Sequence, residues 1–220
     1  MVRRLAMRNA VDIFLRAPAR IYCFADTIAL CRTLLEAGAR VIQFRHKTAD
    51  DAAFVNAARE MLDCVRSYDD AVLIVNDRVD IALDIGADGI HVGQEDRDYR
   101  EVVRRVPASM IVGVSARYPH LARSAAAAGA TYVGSGAVFA TPTKPEAVVI
   151  GLTGLQAVVK AVDIPVVAIG GITQASLRPV LETGVRYCAV LSGINDAPDP
   201  AAALRRFLAE SASFPIDQQH

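Results

Sequence analysis

Short apolar runs alternate with longer amphipathic stretches along the chain. The runs are Ile21–Phe24, Val41–Phe44, Val72–Val75, Gly89–Val92, Met110–Val114, Tyr132–Gly134, Val166–Ile169 and Tyr187–Leu191. They are too short for helices, and their β-branched and aromatic residues predict strands. Several are apolar at consecutive positions, so both faces must be covered, as in a parallel sheet overlaid by helices. Between them, Asp26–Glu36, Ala49–Val65 and Leu152–Val162 carry helical periodicity. Gly38, Gly86, Gly129 and Gly184 each close a helical stretch shortly before a strand. A glycine there can take the left-handed conformation that ends a helix. Four copies of that device mean a repeated αβ joint and an architecture that does not change midway.

Eight such units in about 200 residues predict a single (β/α)8 TIM barrel, α/β in class, at the short end of that fold. A doubly wound open sheet is the alternative, but it would want a topological switch point and fewer strands. The expected organisation is an N-terminal helical extension over 1–20, a barrel over 21–210 and a polar tail over 211–220. In the extension Val11, Phe14 and Leu15 fall on one face.

Composition narrows the function classes. Lys+Arg and Asp+Glu each number 24 in the 220 residues, so the formal net charge is zero. That argues against sequence-blind binding to nucleic acid or to an anionic membrane surface. No apolar run approaches the ~18 residues of a membrane span, and the arginine-studded first twenty residues lack the core of a signal peptide. A cytoplasmic protein is expected. Cys23, Cys31, Cys64 and Cys188 sit inside apolar patterns without a CxxC pair. They read as buried reduced thiols rather than disulfides or a metal site.

A barrel carries its reactive groups at the C-terminal ends of its strands. After the second strand, alternation puts Gln43, Arg45 and Lys47 on one side and Phe44 and His46 on the other. An Arg and a Lys at this spacing suit a phosphate or pyrophosphate, although a solvated strand end would read the same way. After the third and fourth strands, Asn76-Asp77-Arg78 and His91-Val92-Gly93-Gln94-Glu95-Asp96 bring Asp77 and Asp96 to neighbouring loops. Two carboxylates so placed suit Mg2+ with substrate phosphates; alternatively each caps the helix that follows. His91 reads equally as a pocket-lining group or an acid/base. After the sixth strand, Gly134 to Lys144 forms a long loop of hydroxyls, amides and one lysine, able to wrap a polyanion or to serve only as structure. Gly170-Gly171 and Leu191-Ser192-Gly193, after the last two strands, bring bare amides to where barrels commonly hold a phosphate. Two anion sites are therefore expected.

Gln43-x-Arg45-x-Lys47, Asn76-Asp77-Arg78, Gly89-Ile90-His91-Val92-Gly93-Gln94-Glu95-Asp96, Gly113-Val114-Ser115, Thr141-Pro142-Thr143-Lys144 and Ile169-Gly170-Gly171-Ile172 occur in that order. Together, over about Ile21 to Phe207, the chain resembles the thiamine-phosphate synthase (thiamine-phosphate pyrophosphorylase) family. The resemblance implies condensation of a hydroxymethylpyrimidine diphosphate with a thiazole phosphate, with Mg2+, to give thiamine phosphate and pyrophosphate. It implies that Arg45, Lys47, Asn76, Lys144 and Ser115 hold the pyrophosphate and that Asp77 and Asp96 bind the metal. Gln43 would meet the pyrimidine, with His91 lining its pocket. Thr141, Thr143, the amides near Gly170 and Gly171, and the Leu191-Ser192 turn would take the thiazole phosphate. Arg45, Lys47, Lys144 and Ser115 would be the catalytic set, assisting departure of an anion from an electron-rich pyrimidine methylene; no general base is needed. The first strand, Ile21-Tyr22-Cys23-Phe24-Ala25-Asp26, departs from the family in having Ala25 where a Thr-Asp pair is usual. A thiazole tautomerase on a similar barrel, or a non-catalytic sensor of a phosphate ligand, are the competing readings. A homo-oligomer is compatible with all three.

Overall fold

The computed structural model describes residues 9–46, 48–93 and 98–214. Its strands are β1 (Ile21–Ala25), β2 (Val41–Phe44), β3 (Val72–Asn76), β4 (Gly89–Val92), β5 (Ile111–Ser115), β6 (Tyr132–Ser135), β7 (Val166–Ile169) and β8 (Tyr187–Val190). They pair in parallel in chain order, and β8 returns to β1 to close a barrel. Closure excludes the doubly wound sheet. The strands sit within one or two residues of the apolar runs. Asn76 and Ser115 extend β3 and β5 to the mouth, whereas Leu191 falls beyond β8.

The crossovers are α2 (Ile28–Glu36), α3 (Asp51–Arg66), α4 (Val79–Asp84), α5 (Tyr99–Arg105), α6 (Pro119–Ala128), α7 (Gly151–Val159) and α8 (Gln174–Leu181). After β8 come the single turn α9 (Ser192–Asn195) and then α10 (Pro200–Ala212). Capping explains several starts: Thr27, Asp50 and Asp199 each accept a backbone N–H from the first turn of the following helix. The glycines ahead of β2, β4, β6 and β8 all have positive φ, as the repeated joint requires.

Two apolar layers result. One fills the space between strands and helices, with Phe44 against Phe54 at 4.3 Å between ring centroids. The other fills the barrel itself and holds Tyr22, Phe24, Tyr132 and Tyr187. The short helix α1 (Ala10–Arg16) closes the barrel floor: Phe14 is fully buried, 5.0 Å from the Tyr132 ring and 4.9 Å from Tyr187. The face expected on this helix is narrower than its periodicity suggested, since Leu15 is 40% exposed. Only one side of a seven-residue helix can reach the floor. Cys23, Cys31 and Cys188 are buried free thiols, and Cys64 is partly buried and free. Among the described residues no helix is long and apolar enough to cross a membrane.

Candidate active site

At the C-terminal mouth the strand ends surround one cavity of about 520 Å3, a size suited to small molecules. Gln43, Arg45, Asn76, Asp77, His91, Ser115, Thr141, Thr143, Lys144, Gly170, Gly171, Leu191 and Ser192 all line it. Lys47 and Asp96 lie outside the described residues.

Each residue arrives by a local rule. Pleating turns Gln43 and Arg45 inward from β2 and its extension, while Phe44 turns outward into the helical layer. Asp77 has φ 62, a left-handed value that Asp tolerates better than most residues. It is held there by Asp77 N donating to His91 O at 2.9 Å and Val79 N donating to Asp77 O at 3.0 Å. Its carboxylate accepts from Asn76 Nδ2. The cap position of α4 is Arg78, so Asp77 faces the cavity instead of capping the helix. Likewise α5 is capped by Asp98, whose side chain accepts from Arg100 N. Arg78 serves the scaffold: its guanidinium lies over Phe54, pairs with Asp51 at 2.5 Å and donates to Ala49 O at 2.6 Å. His46 also belongs to this turn, accepting from Ala49 N at 3.1 Å.

The loop after β6 is stitched to the end of β7. Val138 N donates to Ile169 O at 2.9 Å, and Phe139 N donates to Gly170 O at 3.0 Å. The approach is so close that a Cβ on Gly170 would come within 2.7 Å of Ala137, and one on Gly171 would overlap the Ala140 carbonyl. Both glycines also have positive φ, 102 and 65. They therefore seat the Thr141–Lys144 loop as well as expose amides. They do not open α8 directly, since that helix begins at Gln174 behind Thr173. Ser192 starts α9, which Asn195 anchors by donating to Phe24 O at 3.1 Å.

Below the mouth, polar side chains cross the barrel in a connected line. Gln43 Nε2 donates to Tyr22 Oη at 2.9 Å, and Tyr22 Oη lies 2.9 Å from Tyr132 Oη. Tyr132 Oη lies 2.9 Å from His91 Nδ1, and His91 Nε2 lies 3.1 Å from Ser115 Oγ. Burial pushes both phenols well above their ordinary pKa, so they stay neutral. Gly113 and Gly134 make the room: a Cβ on Gly113 would overlap the Tyr132 ring, and one on Gly134 would lie 3.1 Å from the His91 ring. Tyr22, Tyr132 and Arg117 are cavity residues that the strand-end reading missed. The inward alternation of β1 and β6 could have revealed the tyrosines. Arg117 sits two residues after Ser115 and carries a buried Nε without a hydrogen-bond partner.

The thiamine monophosphate synthase family model matches residues 18–194, every crossover from β1 to α9. The chain belongs to the thiamine monophosphate synthase family. It is 41% identical over 201 residues to a thiamine-phosphate synthase of Caldivirga maquilingensis, covering 88% of this chain and 97% of that one. It is 44% identical over 179 residues to a thiamine-phosphate synthase of Roseiflexus castenholzii, covering 81% of this chain and 78% of the relative. The solved thiamine phosphate pyrophosphorylase from Pyrococcus furiosus superposes with a TM-score of 0.83 at 37% identity, over 90% of this chain and 98% of that one. The two barrels are thus similar over nearly their whole length.

Proposed function

We propose that the chain condenses 4-amino-2-methyl-5-hydroxymethylpyrimidine diphosphate with 4-methyl-5-(2-phosphoethyl)thiazole, releasing pyrophosphate and thiamine phosphate. The observation that carries this is convergence: polar groups from seven strand ends surround one cavity within a family barrel. Arg45 and Lys144, with Lys47, hold the diphosphate; Asn76 and Ser115 add neutral donors. Thr141, Thr143, the Gly170–Gly171 amides and Ser192 receive the thiazole phosphate. Gln43 meets the pyrimidine. The C–O bond to the diphosphate breaks first, the electron-rich aminopyrimidine stabilises the methylene cation left behind, and the thiazole nitrogen, held in line, then attacks that carbon. Stabilising the leaving anion lowers the barrier, because that charge grows toward the transition state.

The residues suit Mg2+. Among the described residues no three His, Cys, Asp or Glu side chains gather to hold a metal. A cation here would depend on Asp77, with Asp96, and on substrate phosphate oxygens, which is the coordination Mg2+ favours. When bound it would supply further neutralisation of the departing diphosphate. The tautomerase reading would need His91 as an acid/base, yet both its ring nitrogens are within hydrogen-bond distance of Tyr132 and Ser115.

The test follows thiamine phosphate and pyrophosphate together with both substrates and Mg2+. Equal amounts of the two products are expected, with loss of turnover in EDTA and in Asp77→Ala. Rearrangement of the thiazole alone, or binding without pyrophosphate release, would replace this reading with one of the two competitors.

A further inference from the structure

The line from Gln43 to Ser115 has a property that its individual links lack. Each phenol has one proton, and a neutral imidazole has one N–H and one bare nitrogen. Once one end of such a line donates, every later link must point the same way, or a buried donor is left unmatched. Gln43 Nε2 donates to Tyr22 Oη. Tyr22 must then donate to Tyr132, and Tyr132 to His91 Nδ1, across the 2.9 Å contacts. That leaves the His91 proton on Nε2, where it is donated to Ser115 Oγ. The Ser115 proton is directed away from His91.

We infer that Tyr22 and Tyr132 are positioning residues which set the polarity of this line, so that Gln43 presents its amide oxygen and Ser115 its hydroxyl proton to the cavity. The inference rests on the functional reading above, in which Gln43 meets the pyrimidine and Ser115 the diphosphate. An amide oxygen accepts from the exocyclic amino group of an aminopyrimidine, and a serine proton donates to a phosphate oxygen. One substrate is thereby recognised at its two ends by a single hydrogen-bonded unit. Reversed, the line would turn the Gln43 amide over and point the Ser115 proton back at His91, offering the wrong group at both ends.

The buried position favours such a device. Phe14 packs beneath Tyr132, and the His91 and Tyr132 rings stack at 5.5 Å between centroids with a 27° tilt. Neither ring can swing to find another partner without disturbing the floor. Gly113 and Gly134 preserve the space for these rings.

The experiment is 15N NMR of histidine-labelled protein at pH 8 without substrates, with the His91 signals assigned from His91→Gln. The wild type is expected to hold His91 as the Nε2–H tautomer. In Gln43→Glu the introduced carboxylate can only accept from Tyr22, so the line should reverse and His91 should become the Nδ1–H tautomer. Adding Tyr132→Phe to Gln43→Glu should abolish that response. If Tyr132→Phe fails to fold, Tyr22→Phe breaks the same line one link earlier. A wild-type Nδ1–H tautomer, or a tautomer indifferent to Gln43→Glu, overturns the proposal. In turnover, Tyr132→Phe should lower kcat about tenfold, the loss of one aligned hydrogen bond, with both KM values within about twofold. An unchanged kcat would also overturn it. Absence of condensation in the wild type would instead remove the functional reading, while the tautomer results would still decide the polarity.

Discussion

At the floor of the barrel, arginines bind the protein itself. Arg20 donates to Val185 O at 2.5 Å, and Arg186 donates to Ala17 O at 2.5 Å while lying over the Tyr187 ring. At the mouth, Arg45, Arg117 and Lys144 form no ion pair and no side-chain hydrogen bond among the described residues. Elsewhere on the surface cations are commonly matched, as in Arg40–Asp70 and Arg59–Asp84, both at 2.8 Å. Charge alone therefore does not distinguish the mouth from the rest of the molecule; partnering does. Cations that repel one another around a cavity store a cost that an entering anion relieves. At the floor each guanidinium is instead fixed by backbone carbonyls, Arg20 by Val185 O and Arg186 by Ala17 O, among packed rings.

The largest effect that would test this contrast is alkaline unfolding. Burial pushes Cys23, Cys31, Cys188 and Tyr187 up to about 12, and raises Tyr22 and Tyr132 above their ordinary range. These groups hold their protons more tightly folded than unfolded, where thiols ionise near 9.0 and phenols near 10.0. Their contribution is fully present below about pH 9 and is lost as pH rises toward 12, at about 1.4 kcal/mol per pH unit for each group. Denaturant midpoints measured from pH 8 upward should fall steeply and reach zero before pH 12. A flat profile would mean that water already reaches these buried thiols and phenols.

Next in size is Phe14→Ala. Removing the ring that closes the floor should cost about 3–5 kcal/mol of stability, read from equilibrium unfolding. Both KM values should stay unchanged at temperatures where the variant is folded. A large KM change would show that floor and mouth are coupled more tightly than their separate packing suggests.

Arg45→Ala should do the reverse, lowering kcat/KM about 10²–10³-fold with an unchanged Tm. Arg59→Ala, which removes a paired surface cation instead, should alter stability by under about 0.5 kcal/mol and leave turnover alone. Equal kinetic effects from the two would erase the distinction between unpaired and paired cations.

Much of this was legible in the chain. Short uninterrupted apolar runs and repeated glycine joints determined the barrel, because a strand covered on both faces must be apolar throughout and each helix must end before the next strand can begin. Reading the strand ends then pointed to Arg45, Asp77, Ser115 and Lys144, and the barrel brings all four to one cavity, since its loops gather at that end. Three things required the tertiary structure. Arg78 looks as functional as its neighbours Asn76 and Asp77, yet the start of α3 claims it, through Ala49 O, Asp51 and the Phe54 ring. Gly170 and Gly171 read as a phosphate cradle, but the approach of a loop some thirty residues earlier also demands them. The line from Gln43 through Tyr22, Tyr132 and His91 to Ser115 joins five strands, β2, β1, β6, β4 and β5. Alternation along a strand says which side chains point inward, but only closure of the barrel decides which of them meet.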